Sequence, residues 1–155
     1  MTEMFSSDAD AMRAALKQAY EARRRDEIPV GAVLIDASGR CLGRGFNRTI
    51  SDHDPSGHAE IVALRAAGVQ LRNHRMPGAT LFVTLEPCMM CLGAIFHARL
   101  ARVVYGASDP KTGACGGLLA LHTQPQLNHH TRFEGGLLAA ECSEVLREFF
   151  RLRRA

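Results

Sequence analysis

Apolar residues recur along the first third of the chain with two different periods. Behind Ser7, a candidate helix cap, a stripe at three- and four-residue spacing predicts a helix that ends before Pro29. The stripe consists of Met12, Ala15, Leu16, Ala19 and Tyr20. Two short apolar runs, residues 30–35 and 41–46, flank a turn-forming segment and predict a β-hairpin.

The rest of the chain continues the alternation of helices and strands. The pattern predicts helices from His58 to Gly68 and from Cys88 to Ala98, strands over residues 79–85 and 101–106, a weaker strand over 129–133, and a C-terminal helix through Leu138, Cys142, Val145, Leu146 and Phe149. Gly68 is a natural helix terminator, and Pro87 suits a first helical turn because its missing N–H costs nothing there. This order predicts a three-layer α/β/α sandwich around one mixed sheet.

Composition favours one soluble globular domain over residues 1–155. Hydrophobic residues make up 46% and charged residues 23%, and no apolar run reaches the roughly 18 residues of a membrane span. The five cysteines are too scattered for a disulfide framework, and no signal peptide is recognisable, so a cytoplasmic protein is expected. Gly43 and Gly45 do not complete a dinucleotide motif, so we expect no nucleotide cofactor.

The net charge of +3 does not by itself indicate a binding partner, but the positions of the charged residues are more informative. Four arginines crowd the last turns of the chain: Arg147, Arg151, Arg153 and Arg154. Such a cluster is typical of a nucleic-acid contact. It is equally compatible with a solvated helix end, where the dipole favours cations.

Two short motifs carry the chemistry. His58-Ala59-Glu60 begins one predicted helix, and Pro87-Cys88-Met89-Met90-Cys91 begins another. One imidazole and two thiolates can bind one Zn²⁺ per chain and leave the fourth tetrahedral position open, as in catalytic zinc sites. The combination H-x-E with P-C-x-x-C is already known as the motif of zinc-dependent nucleobase deaminases.

Other interpretations of these residues stay open. A C-x-x-C pair alone can belong to a structural zinc site, a redox motif or a buried pair of cysteines, and Glu60 alone can be a solvated carboxylate. A closed structural site needs a fourth ligand, for which Cys115 and Cys142 are poorly placed in the sequence. The catalytic interpretation assigns Glu60 the transfer of protons during hydrolytic deamination of an amino-substituted ring.

The chain as a whole resembles the bacterial tRNA-specific adenosine deaminases of the cytidine and deoxycytidylate deaminase superfamily. The resemblance rests on the segments 29–33, 47–48, 58–60, 84–91, 106–113, 128–129 and 149–154. It implies a cytidine-deaminase-like fold with a five-stranded mixed sheet, a homodimer, and conversion of adenosine to inosine at the first anticodon position of a tRNA.

The resemblance also implies substrate contacts. Asn47 would contact the target nucleoside in a pocket formed by Val30, Ala59, Leu85 and Pro87. Asp109 would hold the target's backbone, and the flanking nucleotides of the anticodon loop would meet Lys111, Phe150, Arg151 and Arg154. Two positions depart from the family: Ser108 replaces a residue that is often basic, and Gly117 one that is often serine.

Two other functions compete with this one. A deaminase of free nucleosides or bases would share the zinc chemistry without needing the arginine-rich end. A non-catalytic zinc or RNA-binding protein would not need Glu60.

Overall fold

The computed structural model describes residues 3–154 and consists of helices packed on both faces of one sheet. In chain order the elements are α1 (Asp8–Arg24), β1 (Gly31–Ile35), β2 (Cys41–Phe46), α2 (Ala59–Leu71), β3 (Thr80–Leu85), α3 (Met89–His97), β4 (Arg102–Ala107), a 3₁₀ turn (Leu121–Thr123), β5 (Arg132–Gly135) and α4 (Ala139–Arg154). Residues 1, 2 and 155 of the predicted domain lie outside this description. Within residues 3–154, no helix combines the length and apolar character needed to cross a membrane.

The strands form one mixed sheet in the order β2-β1-β3-β4-β5. Strand β1 runs antiparallel to both of its neighbours, whereas β3, β4 and β5 are mutually parallel. Successive side chains of a strand point to opposite faces. In β1, Ala32 and Leu34 therefore join a core with α2 and α3, while Val33 joins a second core with α1 and α4. The predicted three-layer α/β/α sandwich with a five-stranded mixed sheet is confirmed.

Helix α2 packs closely on β2 because Gly45 has no side chain between them. A Cβ atom on Gly45 would be 2.7 Å from the carbonyl oxygen of Ala59 and 2.7 Å from the nitrogen of Ala63. A side chain at this position would push the first turn of α2 away from the sheet. The start of α2, which carries His58 and Glu60, is thereby fixed relative to the strands.

The first helix follows its prediction with one exception. The Ser7 hydroxyl caps α1 by accepting a hydrogen bond from the N–H of Asp10 at 3.1 Å. Tyr20, assigned to the apolar stripe, is instead 42% exposed, and the Arg23 guanidinium lies 5.1 Å from its ring centre. A phenol tolerates this position because its ring can be covered by a cation while its hydroxyl stays in water.

Helix α2 does not end at Gly68. Its last residue is Leu71. Arg72, the C-cap that follows, adopts a left-handed conformation with φ 55°. A glycine inside a helix costs about 1 kcal/mol relative to alanine. Leu71 packs against the larger core, and this contact offsets that cost.

The last strand and helix both begin later than predicted. Strand β5 starts at Arg132 rather than residue 129, because its register is set by pairing of Arg132 with Arg102 of β4. The side chain of Thr131 instead donates to the carbonyl oxygen of Leu100. Leu138 precedes α4 with φ 52°, so it packs on the core from the turn before the helix.

Candidate active site

Three metal-binding side chains from two helix starts converge at one end of the sheet. His58 lies directly before α2, and Cys88 and Cys91 lie at the start of α3. The Nδ1 atom of His58 is 3.6 Å from the Sγ atom of Cys88 and 3.6 Å from that of Cys91. Cys91 is fully buried, whereas His58 and Cys88 are half-buried. The predicted ligands therefore form one cluster.

The spacing of this cluster suits zinc. Bond lengths of about 2.0–2.1 Å to nitrogen and about 2.3 Å to sulfur place tetrahedral N and S ligands about 3.5 Å apart. The measured separations agree with that value, and all three ligand atoms lie within 4.8 Å of one another. Within residues 3–154 no fourth histidine, cysteine or acidic side chain joins the group. One tetrahedral position is thus left for a ligand that the protein does not supply.

Cys88 caps α3 rather than forming part of it, and Pro87 lies one residue further out. The prediction that Pro87 would occupy the first turn is therefore wrong. The reason is that Cys88 pairs with Gly113 of a neighbouring loop, which holds this stretch of backbone extended. Hydrogen bonds from Cys91 and His58 lower the pKa of Cys88 to about 4. The lowered pKa favours the thiolate form of Cys88, which is the form that binds metal.

Glu60 lies in the first turn of α2 and is only 4% exposed, so it is not a solvated surface carboxylate. Burial raises the pKa of Glu60 to about 7. The residue lines the same cavity as His58 and Cys88. A buried carboxylate beside a candidate metal site is well placed to exchange protons with a molecule in that cavity.

The cavity beside the cluster has a volume of about 600 Å³. Its floor is formed by His58, Glu60 and Cys88, and its walls come from the segments before β1 and after β2, from the end of β3, from α4 and from the loop after β4. Seven of the predicted substrate-contact residues line it: Val30, Asn47, Ala59, Leu85, Asp109, Lys111 and Phe150. Side chains far apart in the sequence thus face one space.

Three predicted contact residues do not line this cavity: Pro87, Arg151 and Arg154. Pro87 is buried, and its carbonyl oxygen accepts a hydrogen bond from the N–H of Ala114 in the loop after β4. Arg151 and Arg154 are exposed near the end of α4. Substrate contacts of Pro87 and of the two arginines stay predictions.

The carboxylate of Asp109 is already engaged within its own loop. It accepts hydrogen bonds from the N–H of Lys111 and from the N–H and hydroxyl of Thr112. These contacts close a tight turn at the cavity rim. The predicted role of Asp109 toward a substrate backbone stays a prediction, and the structure adds a role in shaping the loop.

The sequence placed Arg147 in the arginine cluster but did not assign it to the substrate site. Arg147 lines the wall together with Phe150, whereas its neighbours in the arginine cluster do not. The two residues are three positions apart on α4 and therefore share a helix face. That spacing indicates a shared helix face but not that this face borders the cavity. The cavity-lining residues Ile28, Pro110, Ser143 and Leu146 carried no comparable signal.

Comparison with known sequences agrees with this geometry. Residues 5–107 match the family profile described as the cytidine and deoxycytidylate deaminase zinc-binding region. The tRNA-specific adenosine deaminase of Haemophilus influenzae is 48% identical over 147 residues, covering 95% of this chain and 85% of the relative. That of Agrobacterium fabrum is 46% identical over 143 residues, covering 92% of this chain and 93% of the relative.

Comparison with known structures gives a consistent result. A protein solved in studies of A-to-I editing by tRNA:A34 deaminases at the wobble position superposes with a TM-score of 0.85 and 44% identity. The match covers 88% of this chain and 99% of the other. The family profile and the donor set together identify His58, Cys88 and Cys91 as the site of one Zn²⁺ per chain.

Proposed function

The chain belongs to the cytidine and deoxycytidylate deaminase family, and we propose that it deaminates adenosine to inosine at the first anticodon position of a tRNA. One observation carries this proposal. A buried carboxylate, Glu60, shares a cavity with the open metal cluster and with a rim that carries basic and aromatic side chains. Catalytic and RNA-contacting features therefore meet in one place.

The chemistry requires a nucleophile at neutral pH. When bound by His58, Cys88 and Cys91, zinc lowers the pKa of water to about 7 and so supplies hydroxide. Glu60 takes one proton from the attacking water and delivers it to a ring nitrogen. As the C–N bond breaks, Glu60 transfers the second proton of the same oxygen to the departing amine, which leaves as ammonia while the oxygen becomes the carbonyl of the product. A new C–O bond replaces the C–N bond, and the product is inosine.

The walls of the cavity suit a flat, polar-edged base. Val30, Ala59 and Leu85 present apolar surface to its faces. The buried amide of Asn47 offers both a donor and an acceptor, and its backbone N–H is fixed by a hydrogen bond to the carbonyl oxygen of Val30. Such a pocket orients the reacting carbon toward the metal cluster.

The rim of the cavity suits an RNA strand. Lys111 and Arg147 supply positive charge, and Phe150, 42% exposed, offers a ring for base stacking. An anticodon loop presents unpaired bases that enter a pocket at little cost, so no strand-opening machinery is needed. This supports tRNA rather than free nucleoside as the substrate, and on the same basis we propose a cytoplasmic location.

We also propose that the protein is a homodimer. Exposed apolar side chains occur at the start of α3 and in the loop after β4, at Met89, Met90, Leu118 and Leu119. The pairing of Cys88 with Gly113 joins these two segments. Exposed apolar side chains on neighbouring segments are the kind of surface that a partner chain can cover. Light scattering with size-exclusion chromatography should give a mass of two chains, and replacing Met89 and Leu118 by aspartate should give one.

The substrate is tested by competition among candidates. Zinc-loaded protein should release ammonia from an anticodon stem-loop that carries adenosine at the first anticodon position, and inosine should appear there. The same stem-loop with guanosine at that position is the matched control and should not react. Efficient turnover of free cytidine or guanine, with none on the stem-loop, would overturn the substrate while leaving the zinc mechanism intact.

A further inference from the structure

A second buried carboxylate lies next to the metal cluster but has no part in the mechanism above. Glu86 follows β3 and is 3% exposed. Its Oε1 atom accepts hydrogen bonds from the hydroxyl of Ser108 at 3.1 Å and the N–H of Asp109 at 3.0 Å. Its Oε2 atom accepts from the N–H groups of Cys115 and Gly117, both at 2.9 Å. One side chain therefore binds both ends of the loop formed by residues 108–117.

This loop is wrapped tightly around the carboxylate. A Cβ atom on Gly113 would lie 2.3 Å from Oε2 of Glu86. A Cβ atom on Gly117 would lie 2.7 Å from Oε1 of Glu86 and 2.1 Å from the carbonyl oxygen of Asp109. Glycine at both positions allows this close approach.

The loop connects the rim of the cavity to the metal cluster. Its first half, residues 108–112, forms one cavity wall. Its second half contacts the backbone at the metal cluster. Gly113 forms a β-bridge with Cys88, and the N–H of Ala114 donates to the carbonyl oxygen of Pro87. Glu86 lies at the centre of this arrangement.

We propose that Glu86 is a positioning residue that holds the 108–117 loop as a preformed wall of the substrate pocket. The expected effect on KM rests on the proposed function. The role of Glu86 in holding the loop rests on the hydrogen bonds alone. Glu86 acts through the loop, and the proton transfers remain with Glu60.

The groups around Glu86 determine what its amide analogue would do. All four partners donate, and three of them are backbone N–H groups that cannot accept. In Glu86→Gln the amide oxygen can satisfy Cys115 and Gly117, while the NH₂ group turns toward Ser108, whose hydroxyl can also accept. The N–H of Asp109 is then left without an acceptor. The variant therefore loosens the cavity-lining half of the loop selectively.

Loosening the loop affects binding more than turnover. If the loop is ordered in only a fraction of the free molecules, the apparent affinity for the substrate falls in proportion to that fraction. The loop is still ordered in the bound complex. Loss of one acceptor for a buried N–H corresponds to a KM increase on the order of tenfold. We expect kcat to change less than about threefold, because Glu60 and the metal ligands are untouched.

The experiment compares three variants of the zinc-loaded full chain with the unmodified protein. Zinc content, amide hydrogen exchange in residues 108–117, and kcat and KM on the anticodon stem-loop are measured for each. Glu86→Gln should keep its zinc, exchange faster in the loop and raise KM. Asp36→Asn, the matched control, makes the same carboxylate-to-amide change at a side chain that accepts N–H groups in a turn outside the cavity lining, so its KM should stay within about twofold. Gly117→Ala displaces the loop with Glu86 intact and should raise KM as well.

The outcomes separate this inference from the proposed function. An unchanged KM in Glu86→Gln despite faster exchange, or a fall in kcat accompanied by loss of zinc, would overturn the positioning role. If Glu86→Gln does not fold, Gly117→Ala decides by the same KM criterion. If the unmodified protein does not deaminate the stem-loop, the proposed function fails, while hydrogen exchange still decides whether Glu86 holds the loop.

Discussion

The buried carboxylate of Glu27 accepts two hydrogen bonds from Ser51, one from its N–H and one from its hydroxyl, each at 2.6 Å. A third comes from the N–H of Ile50. These contacts join the turn after α1 to the loop that leads into His58. Glu27 therefore anchors the loop that precedes the metal ligand His58, although Glu27 is not itself part of the metal cluster.

Replacing Glu27 by alanine should destabilise the fold without removing the metal. Hydrogen bonds to a charged group contribute about 1.5–3 kcal/mol, and the part-buried bonds from Ile50 and Ser51 are lost, so the free energy of unfolding should fall by about that amount. Urea denaturation of the zinc-loaded protein measures the change. Ser51→Ala removes only the hydroxyl contact and should cost less. Equal stability of Glu27→Ala and the unmodified protein would contradict the anchoring role.

Zinc binding should depend on Cys88 and Cys91 but not on Cys41. Serine at either ligand position should lower the zinc content from one per chain toward zero and abolish activity, because the cluster found within residues 3–154 has only three protein ligands. Cys41→Ala, also at a buried cysteine, is the control and should keep its zinc. Elemental analysis of freshly purified protein gives the stoichiometry. A full zinc complement in Cys88→Ser would refute the assignment.

Glu60→Ala should separate chemistry from architecture. The residue is not a metal ligand, so the variant should fold and bind zinc. Its kcat should fall by at least the ~10²–10⁴-fold typical of general acid–base catalysis. Single-turnover assays on the anticodon stem-loop, with zinc content measured in parallel, test this. Near-normal turnover of a zinc-loaded variant would rule out Glu60 as the proton carrier and favour a structural zinc site.

Arg147 should contribute to RNA binding more than Arg154 does. It lines the cavity, where it is held by an ion pair with Glu144 at 2.8 Å, whereas Arg154 lies outside the lining. Loss of one phosphate contact should reduce the slope of log K against log salt concentration by about 0.7 for a single strand. Binding of the stem-loop to Arg147→Ala and Arg154→Ala at several salt concentrations tests the order. A larger slope change for Arg154→Ala would reverse the assignment.

Acid should remove a stabilising contribution at the β1–β2 turn. Burial raises the pKa of Asp36, but hydrogen bonds from Ser38 and Arg40 outweigh it and lower the pKa to about 2. A carboxyl group whose pKa is lower in the folded state stabilises the fold above its ordinary pKa and loses that effect as the pH falls through the folded value. Asp36→Asn should therefore be less stable than the unmodified protein at pH 7, and the difference should shrink between pH values of about 4 and about 2. Urea midpoints across this range test the trend, and a constant difference would contradict it.

Local spacing was sufficient to predict the elements and the metal ligands. The stripe behind Ser7 and the pattern of the two hairpin strands reflect helical and extended periodicity, which a short stretch of chain expresses by itself. The motif around His58 and the pair Cys88 and Cys91 are likewise local, since ligands three residues apart meet on one helical turn. These features depend on chain geometry rather than on distant partners.

What the sequence by itself determined was therefore the α/β/α class, the zinc ligands and the identity of Glu60 as the carboxylate beside them. Only the tertiary structure decided where α2 ends, that Glu86 holds a loop, and that Arg147 rather than Arg154 faces the cavity. An isolated glutamate or arginine has the same local signature whether it is solvated or bonded to a segment twenty or thirty residues away. Those contacts form because the fold brings β3, β4 and α4 together at one edge of the sheet. No local sequence pattern predicts which residues meet there.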